Sequence, residues 1–232
     1  MPIKVLELFA GTRSIGKAFE EKGHKVYSVE WNKDFENISL YADISTLTAD
    51  DCIKLCGGRP DVIWASPDCT TYSVMAISHH RERESNGNLR AKTDYAKFCD
   101  TTNAHVIDLI NELQPKLYFI ENPVGGLRKM SFMRDIPRYT VTYCQYGDMR
   151  QKPTDIWTNH PNPKFKPMCK RGAPCHMSAP RGSKCGTQLI KGAKERSRIP
   201  EQLCRHIVEI SEEYLAHPYD AQKTLNDYGG GQ

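Results

Sequence analysis

The chain has 232 residues, 39% apolar and 26% charged, and a formal net charge of +4; this length suits one α/β domain with a small appendage, burying about 70% of its unfolded surface without help from disulfides. Nine cysteines at scattered spacings and the lack of an apolar signal segment after Met1 argue against a disulfide-stapled secreted scaffold and for a reducing cytoplasm. No run approaches the roughly 18 apolar residues of a membrane span, so the protein is expected to be soluble.

Ile3 to Phe9 reads as a strand running into Ala10-Gly11-Thr12-Arg13-Ser14-Ile15-Gly16, and Lys17 to Lys22 as a helix closed by Gly23. A glycine turn between strand and helix lets backbone approach a ligand and points helix N–H groups at it. The next strand, Lys25 to Val29, ends at Glu30-Trp31, about 20 residues after the turn, where nucleotide sites hold ribose hydroxyls. Ala42-Asp43-Ile44 reads as another strand end with an acid, and Thr48 to Cys56 as a helix closed by Gly57-Gly58. Phe9 to Gly11, Glu30 and Asp43 thus meet at one sheet edge as an adenosine-shaped pocket.

Asp61-Val62-Ile63-Trp64 is a short buried strand, and Ala65-Ser66-Pro67-Asp68-Cys69-Thr70-Thr71-Tyr72-Ser73 ends it with a proline and a polar turn. Cys69 therefore sits at a strand's carboxyl end, where open α/β sheets bind ligands, in surroundings polar enough for a thiolate. Met75 to Lys92 is polar and without an apolar period, which predicts a mobile loop beside it. Its adjacent His79 and His80 lack the acid or cysteine partners of a metal site. Asp94 to Leu113 has helical spacing through Phe98, Val106, Leu109, Ile110 and Leu113, with Pro115 as the stop. Leu117 to Ile120 is a buried strand ending in Glu121-Asn122-Pro123, which places Glu121 to give or take a proton next to Cys69. Tyr139 to Tyr143 and Asp155 to Thr158 suit a closing antiparallel hairpin, joined through Gln145-Tyr146-Gly147 and Arg150-Gln151-Lys152.

Residues 161 to 200 then hold ten Lys or Arg against the single acid Glu195, a net of +9 that leaves the rest of the chain near −5. So local a positive block suggests contact with a phosphate backbone. Within it Cys169-x5-Cys175-His176, with Cys185 beyond and His160 before, leaves zinc open, because metal would let a segment without a core fold, yet the spacing is unlike the common Cys-x2-Cys pair. Pro200 to Leu215 reads as the closing helix and residues 217 to 232 as a disordered tail. The expected organisation is a core over 1 to 158, a basic insert over 159 to 199 and a core helix over 200 to 216.

In this order the motifs resemble those of the DNA cytosine-5 methyltransferases, which use S-adenosylmethionine. Leu8-Phe9-Ala10-Gly11 is similar to that family's cofactor motif, Glu30-Trp31 and Asp43-Ile44 to its ribose and adenine contacts, and Pro67-Asp68-Cys69 with Tyr72-Ser73 to its nucleophile motif. Glu121-Asn122-Pro123 resembles its Glu-Asn motif, and Gln145-Tyr146-Gly147 the start of its arginine-bearing motif. The resemblance implies a Rossmann-like methyltransferase fold with a mostly parallel sheet, a C-terminal antiparallel hairpin and the short basic insert. It implies Cys69 as the nucleophile on cytosine C6, Glu121 at N3, Asn122 holding the motif, and Arg150 or Lys152 neutralising charge on a flipped base. Phe9, Ala10, Gly11, Thr12, Ser14, Glu30, Trp31, Asp43, Ile44 and Pro67 would bind S-adenosylmethionine, released as S-adenosylhomocysteine.

The chain departs from the family in Arg13-Ser14, where a glycine pair is usual, which would displace the cofactor turn toward Gly16. It departs again in Asp68 for proline and in Lys152 and Thr154 for arginines. Only about 40 residues stand where the family carries a target-recognition domain, so Lys170, Arg171, Arg181, Lys184 and Arg196 of the insert are expected to hold duplex DNA and to read a short or loosely specified sequence. Amino-methyltransferases attack directly and need neither the thiol nor Glu-Asn, so Cys69 and Glu121 decide against them. An RNA cytosine methyltransferase and an inactive or partner-dependent nucleic-acid-binding relative stay as alternatives. The compact size suits a monomeric phage or bacterial modification protein in the cytoplasm of its cell.

Overall fold

The computed structural model describes residues 1–85, 87–170, 172–177 and 192–217. Its centre is a seven-stranded sheet of order β3-β2-β1-β4-β7-β9-β8, made by β1 (Lys4–Leu8), β2 (Lys25–Glu30), β3 (Leu40–Tyr41), β4 (Val62–Ala65), β7 (Leu117–Pro123), β8 (Arg138–Thr142) and β9 (Pro153–Thr158). Neighbours from β3 to β7 pair parallel, and β9 runs antiparallel between β7 and β8. A parallel sheet is covered on both faces, and its strands carry apolar residues toward both. In β1 and β4, Val5, Val62 and Trp64 face one side with α1 (Ser14–Glu21) and α6 (Glu201–Ala216), through Phe19, Leu203 and Ile207. Leu6, Leu8, Ile63 and Ala65 face the other, against α2 (Ala49–Cys56) and α4 (Asp94–Leu113), through Cys52, Val106 and Leu113.

The long helices begin and end where local chemistry dictates. Thr48 and Asp51 form a reciprocal capping box on α2, and the Thr93 hydroxyl accepts from Ala96 N on α4; caps of this kind contribute about 1 kcal/mol each. α4 stops at Gln114, which turns left-handed at φ +49° ahead of Pro115. No helix among the described residues is long and apolar enough to cross a membrane.

Several local expectations change. Helix α1 starts at Ser14, three residues earlier than the spacing implied, and Gly16 lies inside it. Gly16 is required there because a Cβ would stand 2.4 Å from Glu7 Oε2, so the cofactor turn is not shifted toward it. Asp43 stands just past the end of the two-residue strand β3, where its carboxylate caps a 3-10 turn over Ile44–Thr46. The segment from Met75 to Lys92 is not a bare loop. It contains a four-residue helix α3 (Ile77–His80) and a hairpin of β5 (Arg81–Arg83) with β6 (Leu89–Ala91). The cause is a long-range pair that no local pattern encodes: Arg81, buried, makes a two-pronged ion pair with Asp100 at 3.0 and 2.7 Å and lies over the Tyr72 ring. In the insert, α5 (Ala193–Ser197) is the one regular element among the described residues. Its proline-rich start packs on the core, with Phe165 against the rings of Tyr139 and His206. Arg171, Arg181, Lys184, Cys185 and the tail beyond residue 217 lie outside the described residues.

Candidate active site

The carboxyl ends of β1, β4 and β7 converge on a cavity of about 410 Å³. Its walls include Phe9, Ala10, Gly11, Thr12 and Ser14 from the turn after β1, Pro67, Asp68 and Cys69 after β4, Glu121 of β7, and Lys152. A second hollow of about 410 Å³ adjoins it, lined by Phe9, Trp31, Asp43, Ile44, Asp68, Tyr95, Phe98, Cys99, Thr102 and Asn103. Phe9 and Asp68 border both.

The turn between β1 and α1 is held against its own preference. Phe9 and Arg13 are left-handed at φ +55° and +56°, and Gly11 at +48°; for non-glycine residues that conformation costs about 1–2 kcal/mol each and marks a functional turn. Glu30 stabilises it, accepting from Gly11 N and Asn32 N, both at 3.0 Å. Glu30 lines neither hollow, so its carboxylate shapes the turn from behind. Asp43 keeps one oxygen on Ser45 N at 2.9 Å and on the Ser45 hydroxyl at 2.8 Å, leaving the other for a ligand.

Cys69 is half-buried and opens a 3-10 turn over Thr70–Tyr72. Burial pushes its thiol up to about 11, helped by the nearby Glu121 and Asp68 charges and opposed by Lys152. Asp68, in the family's proline position, is spent on other bonds: it accepts from Thr70 N at 2.6 Å and from the Tyr95 hydroxyl. The nucleophile turn is clamped from three sides. The Asn122 amide donates to Pro67 O at 2.8 Å, Gly126 N donates to Tyr72 O at 2.7 Å, and Arg81 Nε donates to Thr71 O at 2.9 Å. Gly125 must be glycine, because a Cβ there would meet Tyr72 O at 2.4 Å. Glu121 and Asn122 belong to β7 itself, paired with Ile156 and Asp155 of β9, and the Tyr143 hydroxyl donates to Glu121 Oε1 at 2.9 Å.

Of the two proposed cationic partners, one reaches the cavity. Lys152, at φ +27°, lines it. Its Nζ lies 4.5 Å from the Tyr143 ring centroid and donates to Arg196 O at 3.2 Å. Burial and the neighbouring Arg150 lower its pKa, against the raising effect of Glu121. Arg150 is buried elsewhere, tied to Asp148 and donating to Arg196 O and Arg198 O at 3.0 and 3.1 Å. It therefore locks the returning segment and does not face the base cavity. Arg196 is exposed on the cavity rim and Lys170 is exposed on the insert.

Sequence spacing missed Tyr95, Phe98, Cys99, Thr102 and Asn103, which α4 brings to the second hollow. Phe98, on the helical spacing of α4, is 48% exposed, beside Tyr95 at 44% and Trp31 at 68%. Three large apolar side chains left open around one hollow fit a nucleoside's flat face. Glu7 was missed too. It lines the first cavity, and burial pushes its carboxyl up to about 7 against the Gly16 N–H and Arg13. A carboxyl raised on folding stabilises the fold at low pH and loses that contribution as pH rises through 7. Glu7→Gln should thus match wild type in stability near pH 4 and exceed it by about 3 kcal/mol near pH 8.5, read from urea unfolding at both values. An equal difference at both would contradict the assignment.

Comparison with known proteins agrees with this architecture. Residues 3–140 match the family model for the C-5 cytosine-specific DNA methylase. A frog virus 3 (isolate Goorha) protein named "Probable DNA (cytosine-5)-methyltransferase" is 30% identical over 166 residues, 68% of this chain and 71% of that one. Two solved structures share the fold at a TM-score of 0.50: an E. coli protein described as a prophage-encoded DNA modification methyltransferase, 18% identical over 67% of this chain, and the Entamoeba histolytica methyltransferase EhMeth, 14% identical over 68%. The chain spans 46% and 52% of those two, about half their length. With the family's motifs gathered around one cavity and both sequence matches in agreement, the chain belongs to the C-5 cytosine-specific DNA methylases.

Proposed function

We propose that this member of the DNA cytosine-5 methylase family methylates C5 of a flipped cytosine through a covalent adduct at Cys69. The observation that carries the reading is that Cys69, Glu121 and Lys152 line one cavity whose opposite wall is the Phe9–Ser14 turn. Cytosine C5 is too weak a nucleophile to accept a methyl group unaided. Addition of the Cys69 sulfur to C6 makes the ring an enamine, and loss of the C5 proton after transfer expels the thiolate, so one hard step becomes two easier ones. Glu121, steadied by Tyr143, gives a proton or hydrogen bond to N3 as attack proceeds, and Lys152 offsets negative charge on the base. Asn122 positions the nucleophile turn through Pro67 O.

Trp31, Asp43, Ile44 and Phe98 would hold the nucleoside of S-adenosylmethionine, and the Phe9–Ser14 turn its amino-acid end. The cofactor supplies the methyl group as a sulfonium-activated electrophile. Trp31→Ala should weaken cofactor binding about tenfold by calorimetry while leaving thermal stability unchanged, since the side chain is 68% exposed and lines the hollow. Unaltered binding would place the nucleoside elsewhere.

Arg196 borders the cavity and Lys170 is exposed on the insert, and such cations position phosphates more than they read bases. Labelled methyl transfer to duplex DNA, with RNA in parallel, tests the reading. Incorporation into DNA cytosine is the expected result, and incorporation into RNA alone would replace the substrate.

A further inference from the structure

We propose that Cys144, Cys169, Cys175 and His176 bind one zinc ion that staples the basic insert to the catalytic sheet. Their four ligand atoms lie within 4.8 Å of one another. Cys175 Sγ is 3.5 Å from Cys144 Sγ, and His176 Nδ1 is 3.7 Å from Cys169 Sγ and 3.6 Å from Cys175 Sγ. A tetrahedral zinc with Zn–S near 2.3 Å and Zn–N near 2.0 Å puts its ligand atoms about 3.5–3.8 Å apart. Three of the six separations already have that spacing, and the others stay within 4.8 Å.

Two further observations point to thiolates at this place. Gln151 Nε2 donates to Cys169 Sγ at 3.2 Å, and Gln145 Nε2 to Cys175 Sγ at 3.5 Å, the kind of outer donor that orients metal-bound sulfur. Bonds from Cys169 N to Thr142 Oγ1 at 3.0 Å and from Met177 N to Met149 O at 2.9 Å tie the insert to the core here, but it buries little apolar side chain of its own. Met168 and Met177 are 48% and 60% exposed, and a segment without a core gains its fold from metal. Cys144 is the ligand that local spacing could not supply. It follows β8, and as a buried cysteine in an apolar stretch it reads as core. His160, 16 residues before His176, is instead packed against Tyr214.

The ion would sit between two catalytic supports. Cys144 follows Tyr143, which holds Glu121, and Gln151 precedes Lys152. Metal binding therefore fixes the DNA-facing insert relative to the residues that face the base.

Full-length protein purified under reducing conditions from zinc-supplemented cells should carry about one zinc per chain by elemental analysis. Cys169→Ser and Cys175→Ser should each fall below about 0.2, while Cys52→Ser, in α2, keeps the full content. Because the serine variants could misfold, the wild type is also exchanged with cobalt(II), which should give the ligand-field bands of a tetrahedral site and sulfur-to-metal charge transfer. Zinc-free wild type without that spectrum would overturn the proposal, as would zinc retained in both serine variants or a Cys144–Cys175 disulfide found by peptide mapping. These readouts do not depend on methyl transfer, so they stand or fall apart from the catalytic reading.

Discussion

Cys69→Ala should lower methyl transfer to duplex DNA at least about 10⁴-fold, because without the sulfur the ring never becomes nucleophilic at C5. The loss should lie in the chemical step. The Cys69 side chain makes no capping bond to the 3-10 turn it opens, and Asn122, Gly126 and Arg81 clamp that turn through backbone carbonyls of its neighbours. Cofactor and DNA affinities should therefore stay within a few fold of wild type. With burial pushing the thiol up to about 11, the free enzyme is mostly thiol near pH 7.5, so the sulfur becomes reactive mainly once the base is beside it. A Cys69→Ala enzyme with a tenth of wild-type turnover would mean direct attack by the base.

Glu121→Gln should move two measurements in opposite directions. The amide preserves shape and can still accept from the Tyr143 hydroxyl, but it has no proton to give N3, and methyl transfer should drop about 10²–10⁴-fold. After burial, the Glu121 charge is the next largest influence raising the Cys69 thiol. Removing it should make Cys69 more acidic and speed its alkylation by iodoacetamide near neutral pH. Slower methylation with faster alkylation separates loss of proton donation from loss of folding. If both slow together, Glu121 acts through structure.

The parts of the fold set by local chemistry were legible in the sequence. The extent of α4 follows from its apolar spacing and Pro115, the β8–β9 hairpin from the strand-like runs Tyr139 to Tyr143 and Asp155 to Thr158, and the place of Cys69 from a strand stopped by Pro67. The parts set by distant partners were not. Arg81 orders the stretch after the nucleophile only because Asp100 of α4 faces it. Arg150 and Lys152 differ by two residues, yet the first is spent on Asp148 and the 196–198 carbonyls while the second, on a left-handed backbone, lines the cavity. Phe98 reads as part of an ordinary helix stripe and Tyr95 carries no signal of its own, and only the sheet edge beneath them brings both to the second hollow. Glu30 had the expected position but an inward task, because the left-handed turn needed an acceptor for Gly11 N.

The most direct measurement is a trap with duplex DNA containing 5-fluorocytosine, in the presence of S-adenosylmethionine, followed by denaturing electrophoresis and mass spectrometry of the linked peptide. Fluorine at C5 blocks the elimination that normally frees the enzyme. The account predicts a stable protein–DNA adduct on the peptide carrying Cys69, absent from Cys69→Ala. Methylation of ordinary cytosine DNA by a protein that forms no such adduct, or one formed at another cysteine, would contradict it.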